Sequence, residues 1–428
     1  MDTHPATRAE TTATFEYRSS ARGVRIATVV AAIALCLLTA AYIHANVFDV
    51  LNQWSAASDF DVYYRAAKDI AGGISPYENP AYFYPPLVAF AMAPFAWMDY
   101  HTARWVWLGL SQIMLLGAAW LTWRALGRGL LGLVCVAFVW AVGGAASETL
   151  RLGQLSPLLL VAIAAAYDRR AAAQDIAVSA AFGLKYFPGI LALALWLQRG
   201  WRRVLKLTGI ALLSVSLPWL VLACFFTGPK VATEAHYWLG TPAMFSWSLP
   251  SVVLRILMPL HPGRHLPFYW DHGNTAATLH LAPWLQTVSV AVALTALAGG
   301  ILALIVVSRG RLRAAHLPFA MAALISLTLV AAPVSWTHYQ VLQYPGVALL
   351  LYHAIRWRRW ALAAGVVLCF ALCYQLPERV LIQYHNIHSG WTAASPLLVY
   401  AWTTIPPFAA LGLFALALSV VRSDQRTT

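Results

Sequence analysis

The sequence predicts an all-α protein that crosses a membrane many times. Three observations carry this prediction. Mean hydropathy is +0.65. Hydrophobic residues make up 60% of the 428 positions and charged residues 11%, less than half the ~25% of an ordinary globular chain. Apolar runs of span length recur along the chain, with Lys and Arg gathered between alternate runs. The short alternating segments of a β-barrel are missing from the sequence.

The apolar runs fall at 24–46, 103–123, 128–147, 155–167, 173–184, 186–198, 201–227, 285–308, 317–335, 340–355, 360–376 and 396–421, which predicts about 12 transmembrane helices. The first run lacks a small-residue cleavage site and reads as a retained span. Residues 86–98 are apolar but short, with Pro94 inside, and read as a re-entrant or interfacial helix. Cys36, Cys135, Cys224, Cys369 and Cys373 all lie in apolar runs and read as small buried hydrophobes. No Walker loop or GxGxxG is present, which argues against nucleotide chemistry.

Basic clusters set the orientation. Arg8 to Arg25, Arg124 and Arg128, Arg169 and Arg170, Arg199 to Lys206, Arg309 to Arg313, Arg356 to Arg359, and Arg422 with Arg426 hold 20 of the 29 Lys and Arg. The positive-inside rule puts these clusters in the cytoplasm. The expected organisation is a cytoplasmic tail at 1–23, one integral membrane domain at 24–421 and a cytoplasmic tail at 422–428. Outer loops are expected at 47–102, 228–284 and 377–395. That side holds 10 of the 16 acids and 9 basic residues. The net charge of +13 therefore follows the inner membrane face and does not indicate nucleic acid. Two short spans between residues 173 and 198 are needed for this scheme. "LKYFPG" at 184–189 supplies the break, because Pro188 cannot continue a helix.

The polar loops place the chemistry on the outer side. "SDFDVYYRAA" at 58–67 predicts a helix start, stopped by Gly72 and Gly73. Ser58 reads as an N-cap and Asp61 as the N3 acid of a capping box. Asp59 and Asp61 then point about 200° apart, so Asp59 is free to face a site. An extended backbone would instead make Asp-Phe-Asp a metal–diphosphate motif. Trp54, Phe60, Tyr63 and Tyr64 surround the acids with aromatic surface. The segment at 72–87 adds Tyr77, Tyr82, Phe83 and Tyr84, expected to be exposed. Such surface suits sugar or lipid stacking, and equally an interfacial belt. Glu148 and Arg151 are expected to pair with each other.

The pattern from Asp59 to Pro94, "DFxVYYxAA…GGxxPY…FxYPPLxxxxxxP", resembles the polyprenol-phosphate-sugar-dependent glycosyltransferases of the GT-C superfold, and most of all glycosyltransferase family 87. Four further segments follow in order: "GQLSPLLL" at 153–160, "FGLKYFPGILALALWLQRGWR" at 182–202, "FSWSLPSVVLR" at 245–255 and "PVSWTHYQVL" at 333–342. The resemblance implies a GT-C-like fold with its active site on the periplasmic face of a bacterial inner membrane. It implies inverting transfer of one sugar, mannose by family weight, from a polyprenyl phosphate to a hydroxyl of a lipid or glycan acceptor. Asp59 is then the general base and His338 a second catalytic residue. Tyr63, Tyr64, Tyr84, Gln154, Lys185, Arg255 and Trp336 are the expected substrate-binding residues, with Lys185, Arg255 and His338 on the phosphate. Where the family often has a second histidine, this chain has Tyr339. No cofactor or metal is required by the scheme. Each cation also has a structural alternative: Lys185 snorkelling from a helix end, Arg255 as a loop charge, His338 as a satisfied interfacial histidine. A secondary transporter or flippase of lipid-linked sugars is the rival function, since a broken helix is a transporter feature.

Overall fold

The computed structural model describes residues 21–53, 58–168, 170–231, 246–257, 283–377 and 396–426. These residues are helical, with no β-structure among them beyond the isolated bridges Ile74–Thr227 and Ser246–Trp336. In chain order the main helices are α1 (Ala21–Ile43, continued through a π-turn to Gln53), α2 (Ser58–Ala71), α3 (Pro86–Met92), α4 (Tyr100–Ala125), α5 (Leu130–Val142), α6 (Gly144–Leu152), α7 (Ser156–Ala166) and α8 (Ala171–Leu184). They are followed by α9 (Leu191–Arg199), α10 (Trp201–Phe225), α11 (Leu249–Leu257), α12 (Pro283–Val307), α13 (Leu317–Ala331), α14 (Tyr344–Arg356), α15 (Trp360–Phe370) and α16 (Pro396–Arg426).

Five helices among the described residues are long and apolar enough to cross a membrane, and the bent pair α5–α6 makes a sixth candidate. The remaining apolar helices run 10 to 17 residues. The expected count of about 12 transmembrane helices, several of them too short to cross alone, is not reached by helix length and composition among the described residues. Of the short ones, α7 and α13 are packed inside protein, where a helix need not match the bilayer, while α15 exposes Trp360, Val367 and Leu368. In α13 every residue but Pro318 is buried, so this helix, apolar on all sides, forms the centre of the bundle. By contrast α1 exposes Ile26, Val29, Val30, Ile33 and Leu37, and α10 exposes Leu205, Leu212, Leu213, Leu217 and Leu220. Such apolar faces suit contact with lipid.

The basic turns meet one another. Arg124 and Arg170 both pair with Asp168. Arg203 pairs with Asp175 at 2.6 Å and donates to the Ala171 carbonyl at 3.0 Å. The Leu312 amide donates to the Leu197 carbonyl at 2.8 Å, and Arg359 donates to Ser423 at 2.9 Å. Chain segment 171–203 thus leaves the basic end and returns to it, with the break at Lys185 as its far tip. The 14 residues of α8 rise roughly 21 Å, short of the ~30 Å hydrocarbon thickness. Lys185 is accordingly recessed within the bundle.

Residues 86–98 form a short helix, α3, that tightens into a 3-10 turn at Ala93–Trp97. Val88, Ala89, Met92 and Phe95 are buried while Trp97 is 86% exposed, as an element lying along an interface would be.

Candidate functional site

The site is built on α2, and α2 is positioned by Gly153. That glycine caps α6 in the left-handed region, at φ +69°. A Cβ there would stand 2.7 Å from the Phe60 Cβ, so only glycine lets the two helices approach this closely. Trp107 fixes the turn by donating its indole N–H to the Gly153 carbonyl at 2.9 Å. Phe60 fills the space behind, against Phe95, Tyr100 and Trp107.

Two consequences follow. Gln154, just past the cap, is held beside α2 and accepts a hydrogen bond from Tyr63 at 3.2 Å. Asp59 lies four residues before Tyr63, on the same helix face. The Tyr63 and Tyr84 hydroxyls are also hydrogen-bonded to each other at 2.8 Å, with the rings 4.9 Å apart and edge to face. Tyr84 in turn lies under the Lys185 ammonium, 5.2 Å from its ring centre.

Lys185 is displayed by the end of α8. Its backbone is extended, at φ −149° and ψ 135°, and a 3-10 turn containing Pro188 follows. Although the residue is only 8% exposed, its ammonium donates to the Tyr339 hydroxyl at 2.9 Å. Tyr339 and His338 belong to a 3-10 turn, Thr337–Gln343, between α13 and α14. His338 is 4% exposed, and its Nε2 has no hydrogen-bond partner among the described residues. An orphaned buried nitrogen of this kind points to a ligand atom that completes it.

Charge ties the cluster together. Desolvation pushes the Asp59 carboxyl up to about 6, opposed by the Ser58 hydrogen bond and the Lys185 charge. Desolvation also pulls the Lys185 ammonium down to about 7, partly countered by Asp59. His338 is held well below its ordinary value, first by burial and then by Lys185. Near neutral pH the site therefore presents a carboxylate, an ammonium at the edge of deprotonation and a neutral imidazole.

The structure separates the two acids of the opening motif. Asp61 is not the N3 member of a capping box. Its carboxylate accepts from Arg65 at 2.8 Å, one turn along the outer face of α2. The Ser58 hydroxyl serves Asp59 instead, at 3.2 Å. Because the backbone is helical, Asp59 and Asp61 diverge, and the extended Asp-Phe-Asp arrangement does not form.

Several other expected residues lie elsewhere. Tyr64 turns away from Asp59, packs edge to face on Tyr100 and donates to the Met98 carbonyl at 2.9 Å. Tyr77 and Tyr82 are buried and not exposed. Tyr77 stacks on Trp219 and donates to the Tyr84 carbonyl at 2.8 Å, so both tyrosines support the loop that carries Tyr84. Arg255 directs its guanidinium at backbone carbonyls, Ser246 at 3.0 Å and Thr403 at 3.1 Å. It pins α11 to α16 and to the bridge between Ser246 and Trp336. Trp336 is the residue before the 3-10 turn, and its neighbour Ser335 accepts from the Trp247 amide at 2.7 Å. Trp54 and the histidines at 236, 261, 265, 272, 280, 385 and 388 lie outside the described residues.

The sequence also missed partners. The Glu148 carboxylate accepts from Thr337 at 2.7 Å and Tyr374 at 2.8 Å, and the Arg151 charge acts on it as well. An acid at the very end of an apolar run was the available signal. Tyr339, noted only as a departure from a histidine, is the Lys185 partner.

This frame matches a known family model. Residues 82–334 match the model of glycosyltransferase family 87. The chain belongs to glycosyltransferase family 87. No curated protein matches it. Within the family-matched stretch lie Tyr84, Glu148, Gln154, Lys185 and Arg255; Asp59 and His338 flank it on either side. A glycosyltransferase needs a base for the acceptor hydroxyl and a means to neutralise the leaving group. The Asp59–Lys185–His338 cluster contains groups of both kinds. Membership also weighs against the transporter alternative, since the family's members transfer sugars.

Proposed function

We propose that this family 87 glycosyltransferase moves one sugar, mannose by resemblance, from a polyprenyl phosphate to a hydroxyl of a lipid or glycan acceptor. Transfer is α-forming with inversion, and the site opens to the outer, periplasmic face of a bacterial inner membrane. The observation that carries this reading is the buried Lys185 ammonium, held against the Tyr84 and Tyr339 rings and near enough to Asp59 for the two charges to act on each other. Asp59 takes the proton of the acceptor hydroxyl as the new glycosidic bond forms on the far face of the sugar. A carboxyl raised to about 6 is a stronger base than an ordinary one and still ionised at neutral pH.

The leaving group is a phosphate monoester whose second pKa is ~6, so it departs without a proton. Its charge needs a cation in a place shielded from water. Lys185 supplies the cation and the His338 Nε2–H, in that tautomer, a hydrogen bond. Tyr84 and Tyr339 keep the ammonium on the sugar side of the pocket. The polyprenyl chain then leaves between the exposed apolar faces of the bundle.

Outer placement is supported by the basic turns, which join one another at the opposite ends of the helices that hold the site. The test compares donors with one acceptor. Purified protein is expected to transfer from a polyprenyl-phosphate sugar and not from a nucleotide sugar; efficient transfer from the nucleotide sugar alone overturns the proposal.

A further inference from the structure

Glu148 has a place that the transfer scheme does not use. It sits within α6, between the bend at Gly143 and the Gly153 cap that positions α2. Both carboxylate oxygens are engaged by hydroxyls from distant segments, Thr337 at 2.7 Å and Tyr374 at 2.8 Å. Next to it, Thr149 donates its hydroxyl to the His338 carbonyl at 3.2 Å. Consecutive residues of α6 therefore grip consecutive residues of the 3-10 turn that presents His338 and Tyr339. A buried acid held this firmly costs stability relative to an apolar residue of similar shape. Its retention calls for a role.

Resting on the reading of Asp59 as the base, we propose that Glu148 is a positioning residue: its hydrogen bonds to Thr337 and Tyr374 lock the turn that presents His338 and Tyr339 and fix a carboxylate beside the site. The surroundings of Asp59 leave few other sources of negative charge. From α2 itself come Ser58 and Tyr63, from the loop before α3 comes Tyr84, from the α8 break Lys185, and from the 3-10 turn Tyr339. Arg65 and Glu78 act on Asp69 at the far end of α2, and Arg104 lies over the Tyr100 ring. Glu148 and Lys185 are thus the opposed charges that act on Asp59, one raising its proton affinity and one lowering it. The donor phosphate, a diester with one negative charge, offsets the lysine when it binds at Lys185, and Glu148 remains to keep the base strong during transfer.

The experiment is a pH profile of kcat/KM for the full-length protein, Glu148→Gln and Thr337→Val, with a polyprenyl-phosphate sugar as donor. Gln keeps the shape while removing the charge; its oxygen accepts from one hydroxyl and its amide N–H donates to the other, which turns to accept. The acid limb of Glu148→Gln is expected at lower pH than in the parent. Thr337→Val keeps the charge and loses one anchor, so its turnover falls while its acid limb stays in place. Gel filtration checks the fold of each, and Glu148→Met, of similar length, supplies the neutralisation should the Gln variant misfold, with Thr337→Val showing the effect of a lost contact alone. An unmoved limb on neutralising Glu148, or an equal shift in Thr337→Val, overturns the inference. Asp59→Asn separates the two levels. If it stays active, the base reading itself fails. If it is inactive while the Glu148→Gln limb is unmoved, only the role of Glu148 fails.

Discussion

The Lys185 ammonium donates to the Tyr339 hydroxyl at 2.9 Å and stands 4.0 Å from the centre of the same ring. The tyrosine thus contacts the cation twice, through its oxygen and through its π-face. A histidine at this position would compete with Lys185 for charge, whereas a tyrosine accepts its hydrogen bond. The arrangement holds in place a lysine that burial brings to the edge of deprotonation, with Asp59 opposing that shift, and the chemistry can be read out by titration.

The first prediction concerns pH. Asp59 must be ionised to act as base, so kcat/KM is lost as pH falls through about 6. Lys185 must be protonated to meet the phosphate, so kcat/KM is lost as pH rises through about 7. The free enzyme should therefore show a narrow bell. Bound donor phosphate favours the ammonium, which moves the alkaline limb of kcat to higher pH than that of kcat/KM. Coincident alkaline limbs in the two profiles would remove Lys185 from the phosphate.

The second prediction tests charge against shape. Lys185→Met keeps the length of the side chain and loses its cation; turnover is expected to fall roughly 10²–10³-fold. Lys185→Arg keeps the cation and should retain activity within about tenfold of the parent. Steady-state rates with saturating donor decide the comparison. Equal losses in both variants would assign Lys185 a packing role only.

The third prediction uses the divergence of the two acids on α2. Asp59→Asn should lower kcat roughly 10²–10⁴-fold with an unchanged melting temperature. Asp61→Asn breaks a half-exposed pair with Arg65, worth about 0.3–0.5 kcal/mol, and should leave turnover close to that of the parent. Rates and melting curves on the same preparations would expose the reverse pattern at once.

Membrane class, the position of Lys185 at a helix break and the opposite facing of Asp59 and Asp61 were all legible in the sequence. Each depends on local information: hydropathy, a proline, the 100° step of a helix. The role of Asp61 was misread because the capping box and the i,i+4 pair with Arg65 compete for one carboxylate, and sequence does not rank them. Glu148 and Tyr374 are 226 positions apart, and no local rule brings them together. Tyr64 looked equivalent to Tyr63, but one helical step turns it onto Tyr100 and Met98. The number of full-length spans was the other feature that hydropathy alone did not give. Hydropathy marks apolar runs alike, whether they cross alone or, like α13, are enclosed by neighbours.

The fourth prediction concerns sidedness. Leu312 bonds to Leu197, and Arg203 reaches back to Ala171, so residues 171, 203 and 311 share one face. Cysteines introduced at Ala171 and Arg311 should react with a membrane-impermeant thiol reagent only from the cytoplasmic side, and a cysteine at Ser58 only from the outside. The background is one in which Cys36 and Cys224, the exposed native thiols, are replaced. Labelling of Arg311→Cys from outside alone would invert the membrane orientation and with it the source of the donor.

The fifth prediction tests whether the glycine at the α6 cap positions the site. Gly153→Ala meets two obstacles. A left-handed backbone costs an L-residue roughly 1–2 kcal/mol, and the new Cβ would lie 2.7 Å from the Phe60 Cβ. Phe60 is fully buried among Phe95, Tyr100 and Trp107, so it has little room to yield. Relief must come from α2 moving away from α6. That movement stretches the hydrogen bond from Tyr63 to Gln154 and carries Asp59 with it, away from Lys185. Gly153→Ala should therefore melt at a lower temperature and lose turnover out of proportion to its loss of stability. Cooling the assay or adding stabilising lipid would restore the folded fraction but not the rate. A variant with a lowered melting temperature and parental kcat in its folded fraction would show that α2 keeps its place without the glycine, and that the contact with Phe60 serves packing alone.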